Sequence, residues 1–288
     1  MTKNDKISDY ITFPRTFENY KFYKPIIVII LTFIIMGILY AIISFISLQI
    51  FGIEFLKTSL GGYEALNNGP AVIFADLIII MFIPALYIAS KIVKDRPFSS
   101  YSSSRGGWNY RLYFKALIIP IILFVIYQCI DTAVNGAKGT YSLSIEFIIA
   151  LLITIPLQCI AEEYIFRGLI MQTVGAWFKI PLLAIVIQAI IFTLFHGYNS
   201  IGLIEPLVTG IIYGFFTWKT NGIEISSAIH TANNFSVGLF VMLGLHASSS
   251  TLQLSSVAMT VAFYIVVSAI IYYVGNKTDW FGEIQQNA

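Results

Sequence analysis

The sequence predicts an all-α fold, namely a polytopic membrane helix bundle of about eight transmembrane helices. Of its 288 residues, 57% are hydrophobic and 11% are charged, whereas a water-soluble globular chain carries about 25% charged residues. The mean hydropathy is +0.80. The apolar residues fall in runs of roughly 20, the length that a bilayer requires of a helix. We therefore expect an integral, multi-pass membrane protein.

Eight apolar runs have the length and composition of spanning helices. Polar, glycine-containing connectors such as "RGGWNY" and "NGAKGT", typical of turns, separate several of them. The predicted spans are 26–50, 71–93, 112–130, 145–172, 181–197, 201–218, 223–246 and 257–275. They define one bundle over residues 26–275, an interfacial N-terminal segment over 1–25 and a tail over 276–288.

Lysine and arginine are distributed unevenly between the two sides of this bundle. With the N-terminus inside, fourteen of the 17 fall on the cytoplasmic side, Arg167 among them, and only Lys57 and Lys138 fall in outer loops. Because positive residues accumulate in cytoplasmic loops, both termini are expected in the cytoplasm, at the cell membrane if the source is bacterial. The expected partners are the lipid bilayer and a membrane-associated protein or peptide, with no nucleic acid.

Charged residues interrupt the fourth run at "AEEYIFRG", residues 161–168. Ionisable side chains within a membrane segment are energetically expensive and commonly functional. On a helix, residues four apart lie on one face, whereas neighbours diverge by about 100°. Glu163 and Arg167 are therefore predicted to form an ion pair, while Glu162 points elsewhere and lacks that partner.

Two other predicted spans carry polar residues that can meet Glu162. His196 lies in the fifth span, in "FTLFHG", and His230 and Asn234 share one helix face in the seventh, in "HTANN". Polar groups in a membrane turn toward one another rather than toward lipid. From the rise per residue, Glu162 and His196 reach similar depths, whereas His230 is expected a turn or two lower.

These residues suit hydrolysis of a peptide bond, which needs a water, a base and donors for the oxyanion. Glu162 is a candidate base, and His196 can orient the water. His230 and Asn234 are candidate oxyanion donors. The Glu163–Arg167 pair is expected to fix the direction of Glu162.

The three motifs, EExxxR, FxxxH and HxxxN, occur in this order on separate predicted helices. In this the chain resembles the CPBP family of CAAX-prenyl-protease and bacteriocin-processing (Abi) intramembrane endopeptidases. The resemblance covers about residues 145–240, the predicted catalytic core. It implies the same division of labour and a cavity open to the cytoplasmic side. It also implies prenylated CAAX proteins, or peptide precursors of bacteriocins or signals, as candidate substrates.

A zinc enzyme is an alternative interpretation of the same residues. Glu162, His196 and His230 form a His₂Glu set, a known arrangement for catalytic zinc, and the CPBP family is commonly described as metalloprotease. However, that use of Glu162 leaves no free base, and the zinc-protease motif H-E-x-x-H is absent from the sequence. A metal-free, glutamate-type mechanism is favoured, and the cofactor stays open.

Two further functions remain possible at this point. Cys159 lies three residues before Glu162, and a thiol there can serve as the nucleophile of an acyltransferase-type enzyme on the same scaffold. The other alternative is a non-catalytic bacteriocin-immunity protein, which binds a peptide toxin and keeps the motifs for architecture.

Overall fold

The computed structural model describes residues 9–61, 68–247 and 251–277. Apart from two isolated bridges, the regular secondary structure of these residues is helical, which confirms the predicted all-α class. The α-helices are α1 (Lys24–Phe51), α2 (Ile53–Ser59), α3 (Gly69–Ile80), α4 (Phe82–Val93), α5 (Ser99–Ser102), α6 (Tyr110–Asn135), α7 (Ile145–Ile149), α8 (Ile155–Glu163), α9 (Gln172–Phe178), α10 (Pro181–Leu194), α11 (Ile204–Thr220), α12 (Glu224–Met242) and α13 (Leu254–Lys277).

Each of the eight predicted spans coincides with a helical segment. Among the described residues, five segments are long and apolar enough to cross a membrane: Lys24–Phe51, Gly69–Val93, Tyr110–Asn135, Ile145–Phe178 and Leu254–Lys277. The other three are α10, α11 and α12. α10 has only 14 residues, about 21 Å at 1.5 Å per residue, which is shorter than a hydrocarbon core of about 30 Å.

Of the helices α10, α11 and α12, the last is the most enclosed, whereas α10 still exposes Leu182 and Leu194. α11 packs against both α10 and α12, and α12 also packs against α6 and α8. Every residue from Glu224 to Ala232, in the first half of α12, is buried. Because these side chains face protein rather than lipid, this half of α12 can carry glutamate, serine, threonine and histidine within a membrane bundle.

The fourth predicted span is a continuous helix of 34 residues, Ile145–Phe178. It contains two π-helical turns, Ala150–Thr154 and Tyr164–Met171, the second of which follows the glutamate pair directly. Such turns are rare and are frequent at functional sites. Every residue of Tyr164–Met171 is buried. Arg167, which the sequence analysis counts with the cytoplasmic lysines and arginines, is therefore not a loop residue, because this turn lies in the protein core.

The N-terminal segment packs on the bundle from residue 9 onward. Tyr10 and Ile11 are fully buried. The Tyr10 backbone N–H donates to Asn221 Oδ1 at 3.1 Å, and its hydroxyl donates to the Tyr101 carbonyl oxygen at 2.6 Å. Ile11 lies so close to Gly175 that a Cβ added there would meet its Cγ2 at 2.2 Å. The segment therefore joins the ends of α5, α9 and α11.

The predicted ends of the chain are covered only in part. Residues 1–8 of the N-terminal segment, the connector 62–67 and residues 278–288 of the tail lie outside the described residues. The boundaries at residues 26 and 275 stay predictions.

Candidate active site

The two neighbouring glutamates at the end of α8 occupy different surroundings. The Glu162 side chain is 16% exposed, whereas that of Glu163 is fully buried. Adjacent residues on a helix diverge by about 100°, so one carboxylate reaches an open cavity while the other points into the core.

Glu163 and Arg167 form a buried ion pair beneath the site. Arg167 Nη1 lies 3.0 Å from Glu163 Oε1, at the spacing that the sequence predicts, and neither side chain has exposed surface. The guanidinium carbon lies 4.5 Å from the Phe192 ring centroid and 5.1 Å from that of Tyr213. Its Nη2 donates to the Gly210 carbonyl oxygen at 3.3 Å. Arg167 thus neutralises Glu163 where water does not reach.

His230 lies against both glutamates. Its Nδ1 is 3.1 Å from Glu163 Oε1, and its Nε2 is 3.6 Å from Glu162 Oε2. The imidazole stacks on the Tyr213 ring at a centroid distance of 5.0 Å. Because the Glu163 carboxylate can only accept while it is ionised, we assign a proton to His230 Nδ1. His230 therefore lies at the depth of the glutamates, and not a turn or two lower as the sequence analysis expects.

Asn234 follows His230 by one turn of α12 and reaches the same place. Its Nδ2 lies 3.4 Å from His230 Nε2 and donates to Gln158 Oε1 at 3.3 Å. Gln158 Nε2 in turn donates to Glu162 Oε1 at 2.6 Å. The sequence motifs do not include Gln158. Its spacing of four residues from Glu162 in "QCIAE" is the signal that could have found it.

His196 lies beyond the helix that was expected to hold it. α10 ends at Leu194, so the prediction of a helical span through residue 197 is wrong there. The turn residues of "HGYNS" explain the early end. His196 Nδ1 lies 2.9 Å from the Phe192 carbonyl oxygen, and its ring packs edge-on against Phe192 at 4.5 Å.

The four predicted residues line a single cavity of about 450 Å³; they are Glu162, His196, His230 and Asn234. It is also lined by two carboxylates that the sequence analysis did not single out, Asp76 and Glu205. Thr154 Oγ1 donates to Asp76 Oδ2 at 2.6 Å. Both acids stand alone within apolar runs, "IFADLIII" and "GLIEPLV", which is the signal that could have identified them.

The alternative zinc site does not fit this arrangement. Within the described residues, no group of three or more His, Cys, Asp or Glu side chains is placed to hold a metal ion. The expected ligands Glu162, His196 and His230 are not such a group.

The alternative thiol nucleophile is also not supported. Cys159 is fully buried and does not line the cavity. Its sulfur donates to Gln158 Oε1 at 3.3 Å. The thiol therefore does not reach the cavity beside Glu162.

Comparison with known proteins identifies the part of the chain that builds this site. Residues 144–236 match the family model described as type II CAAX prenyl endopeptidase Rce1-like. This region is therefore similar to the Rce1-like family. It contains all three motifs, and the resemblance to the CPBP family is confirmed.

One curated relative is similar over a longer stretch. The uncharacterized protein YyaK of Bacillus subtilis (strain 168) is 30% identical over 194 residues, which cover 62% of this chain and 64% of YyaK. The match thus spans less than two thirds of the relative's length. No solved structure matches this chain significantly.

Proposed function

We propose that this chain is an intramembrane endopeptidase of the CPBP type, which hydrolyses a peptide bond of a membrane-associated protein or peptide. The observation that carries this proposal is the placement of Glu162 on the cavity wall with His196, His230 and Asn234. The adjacent Glu163 is buried and paired with Arg167, so Glu162 alone of the two is free to act on a water. The description of the matching family as endopeptidases supports the same reaction.

Glu162 and His196 would activate the water. Glu162 accepts a proton from the water, whose oxygen attacks the carbonyl carbon of the scissile bond. A carbonyl oxygen accepts only, so His196 Nδ1 donates to Phe192, and the lone pair of Nε2 is left to orient the same water.

Asn234 and His230 would stabilise the charge that develops on the former carbonyl oxygen. The N–H of Asn234 Nδ2 that does not bond to Gln158 turns from His230 Nε2 and donates to this oxyanion. With one proton on Nδ1, His230 holds its place against Glu163. In the imidazolium form its Nε2 donates as well. The C–N bond then breaks, and the leaving nitrogen takes the proton from Glu162, which restores the carboxylate.

The identity of the base is tested with the purified protein in lipid nanodiscs and a fluorogenic, farnesylated peptide that ends in a CAAX sequence. The wild type should cleave the peptide, and Glu162→Gln should lose nearly all turnover while still binding it. Glu146→Gln changes a carboxylate at the start of the same long helix, outside the cavity, and should retain the wild-type rate. Cleavage of the peptide by Glu162→Gln at the wild-type rate would refute the mechanism. The same peptide without the lipid tests whether the prenyl group is required.

We further propose that both termini lie in the cytoplasm. Without the buried Arg167, thirteen lysines and arginines still lie on the predicted inner side and two on the outer side. Reporter fusions after Lys138 should report outside, and fusions after Lys94 or at the C-terminus should report inside. An external C-terminus would contradict the eight-helix topology.

A further inference from the structure

A buried amide lies between the proposed base and the proposed oxyanion donor. Gln158, on α8, is 7% exposed and lines the cavity. Its Nε2 donates to Glu162 Oε1 at 2.6 Å, and its Oε1 accepts from Asn234 Nδ2 at 3.3 Å. One side chain therefore links α8 to α12 and contacts both groups that the reaction needs.

The neighbours of Gln158 define which end of its amide faces which partner. A carboxylate only accepts, so the NH₂ group of Gln158 points at Glu162. On the other side, Asn233 Nδ2 donates to Asn234 Oδ1 at 2.9 Å, which turns the NH₂ group of Asn234 toward Gln158. Donation runs in one direction, from Asn233 through Asn234 and Gln158 to Glu162. Each bond in such a chain polarises the next.

We propose that Gln158 is a positioning residue that holds Glu162 Oε1 and thereby assigns Oε2 to the water. Oε2 is the oxygen that lies 3.6 Å from His230 Nε2. The terminal torsion of a glutamate is broad, so without Gln158 the carboxylate rotates and presents its oxygens in varied directions. The inference rests on the proposed role of Glu162 as the base. Gln158 touches no reacting atom.

The same amide also orients Asn234. Gln158 Oε1 takes one of the two N–H groups of Asn234 Nδ2, and the other lies toward His230 Nε2 at 3.4 Å. A single substitution at Gln158 is therefore expected to loosen the base and the oxyanion donor together. It leaves the buried pair of Glu163 and Arg167 intact, because Gln158 does not contact that pair.

The orientation of Glu162 can be measured without a substrate. Gln158→Met keeps the length of the side chain but neither donates nor accepts a strong hydrogen bond. The infrared carboxylate band of Glu162, assigned in ¹³C-glutamate protein in nanodiscs by its loss in Glu162→Gln, should shift in Gln158→Met. Gln172→Met is the matched control, since Gln172 is a buried amide bonded to Arg96 and to the Ser100 carbonyl, outside the cavity. It should leave the band unmoved.

The consequence for catalysis is measured with the farnesylated reporter peptide. Gln158→Met should lower kcat by about 10–100-fold, the scale of a misplacement of about 1 Å, and should leave KM within about twofold. Gln172→Met should change the yield of folded protein but not kcat per folded molecule. If Gln158→Met does not reach the membrane, Gln158→Asn replaces it, since its amide is one methylene too short for Glu162 Oε1.

The two proposals fail in different ways. An unmoved carboxylate band, or an unchanged kcat, in the Gln158 variant would overturn the positioning role even if the wild type cleaves the peptide. A rise of KM equal to the fall of kcat would overturn it as well, since it would indicate a structural defect or a substrate contact. Failure of the wild type to cleave the peptide would instead refute a prenylated CAAX peptide as the substrate, while the spectrum still decides whether Gln158 holds Glu162.

Discussion

The short helix α2 and the end of α8 each carry an ion pair about one helical turn apart, in opposite surroundings. In α2, Lys57 Nζ lies 2.8 Å from Glu54 Oε1, and 64% and 81% of these side chains are exposed. At α8, Arg167 Nη1 lies 3.0 Å from Glu163 Oε1, and both side chains are fully buried. The two distances are nearly equal, so distance does not determine what each pair contributes.

Access to solvent makes the difference. An exposed pair gains little, because water screens it and the flexible side chains lose entropy. A buried pair has lost its hydration, so removal of one partner leaves a charge without compensation. Around Arg167 that hydration is replaced by the rings of Phe192 and Tyr213 and the carbonyl oxygen of Gly210. The same local pattern is thus a surface feature in one region and a structural centre in the other.

The largest expected effect of this difference is on stability. Arg167→Ala leaves the charge of Glu163 buried without its counter-ion, and should lower the free energy of unfolding by about 3–5 kcal/mol. Removal of both charges by Arg167→Met with Glu163→Gln should cost less, because no charge is then stranded. Chemical unfolding in detergent micelles measures both variants.

The exposed pair supplies the matched control for that measurement. Lys57→Ala should leave the unfolding free energy at the wild-type value within error, since both partners are already hydrated in the folded wild type. Equal stability of Arg167→Ala and wild type would place Glu163 in contact with water and remove the contrast between the two regions.

A second prediction carries the comparison to apolar side chains. Leu169 is fully buried in the turn after the glutamates, whereas Ile34 on α1 is 52% exposed on the outer face of the bundle. Leu169→Ala should cost about 2–5 kcal/mol, because it opens a cavity in a packed core. Ile34→Ala loses contact mainly with lipid or detergent and should leave the unfolding free energy nearly unchanged. Similar losses in the two variants would mean that the face of α1 packs against protein.

The smallest expected effect concerns His246, in the loop that follows α12. Its Nε2 lies 3.2 Å from Asp131 Oδ2 and 3.1 Å from Thr132 Oγ1. Partial burial lowers the pKa of His246 below the ordinary histidine value of 6.5, outweighing Asp131, which raises it, while Lys138 lowers it further. The unfolded chain therefore binds this proton more readily, so the contribution of His246 to stability is complete above pH 6.5 and is lost as pH falls through that value.

The measurement is the change in Tm between pH 7.5 and pH 5.5 for wild type and His246→Gln. The variant should show a slightly smaller fall in Tm, because the half-buried ring no longer titrates. An identical fall in the two proteins would show that His246 has the same proton affinity in the folded and unfolded chains.

Features that depend on residues close together in the sequence could be predicted from it. The helical class and the position of each span could be predicted from the apolar runs, because a bilayer satisfies no backbone polar group and forces helix formation. The pair of Glu163 and Arg167 could be predicted from spacing alone. Gln158 and Glu162 are also four residues apart, so their hydrogen bond could have been predicted in the same way.

Other features needed the packed bundle. His196 was expected inside a span, yet the helix ends at Leu194. The span that contains Arg167 was expected to end at residue 172, yet the helix continues through a buried π-helical turn to Phe178. In both cases the apolar run locates the helix, while turn residues and neighbouring elements determine where it ends and which residues it buries.

The sequence by itself determined that this protein is a helical membrane bundle, and it determined the contacts within one or two turns of a helix. The tertiary structure alone decided that His230 meets Glu163 across 67 residues of chain, and that Asn234 meets Gln158 across 76. The physical reason is that helix periodicity relates side chains on one helix, whereas the register between two helices depends on how their whole faces pack.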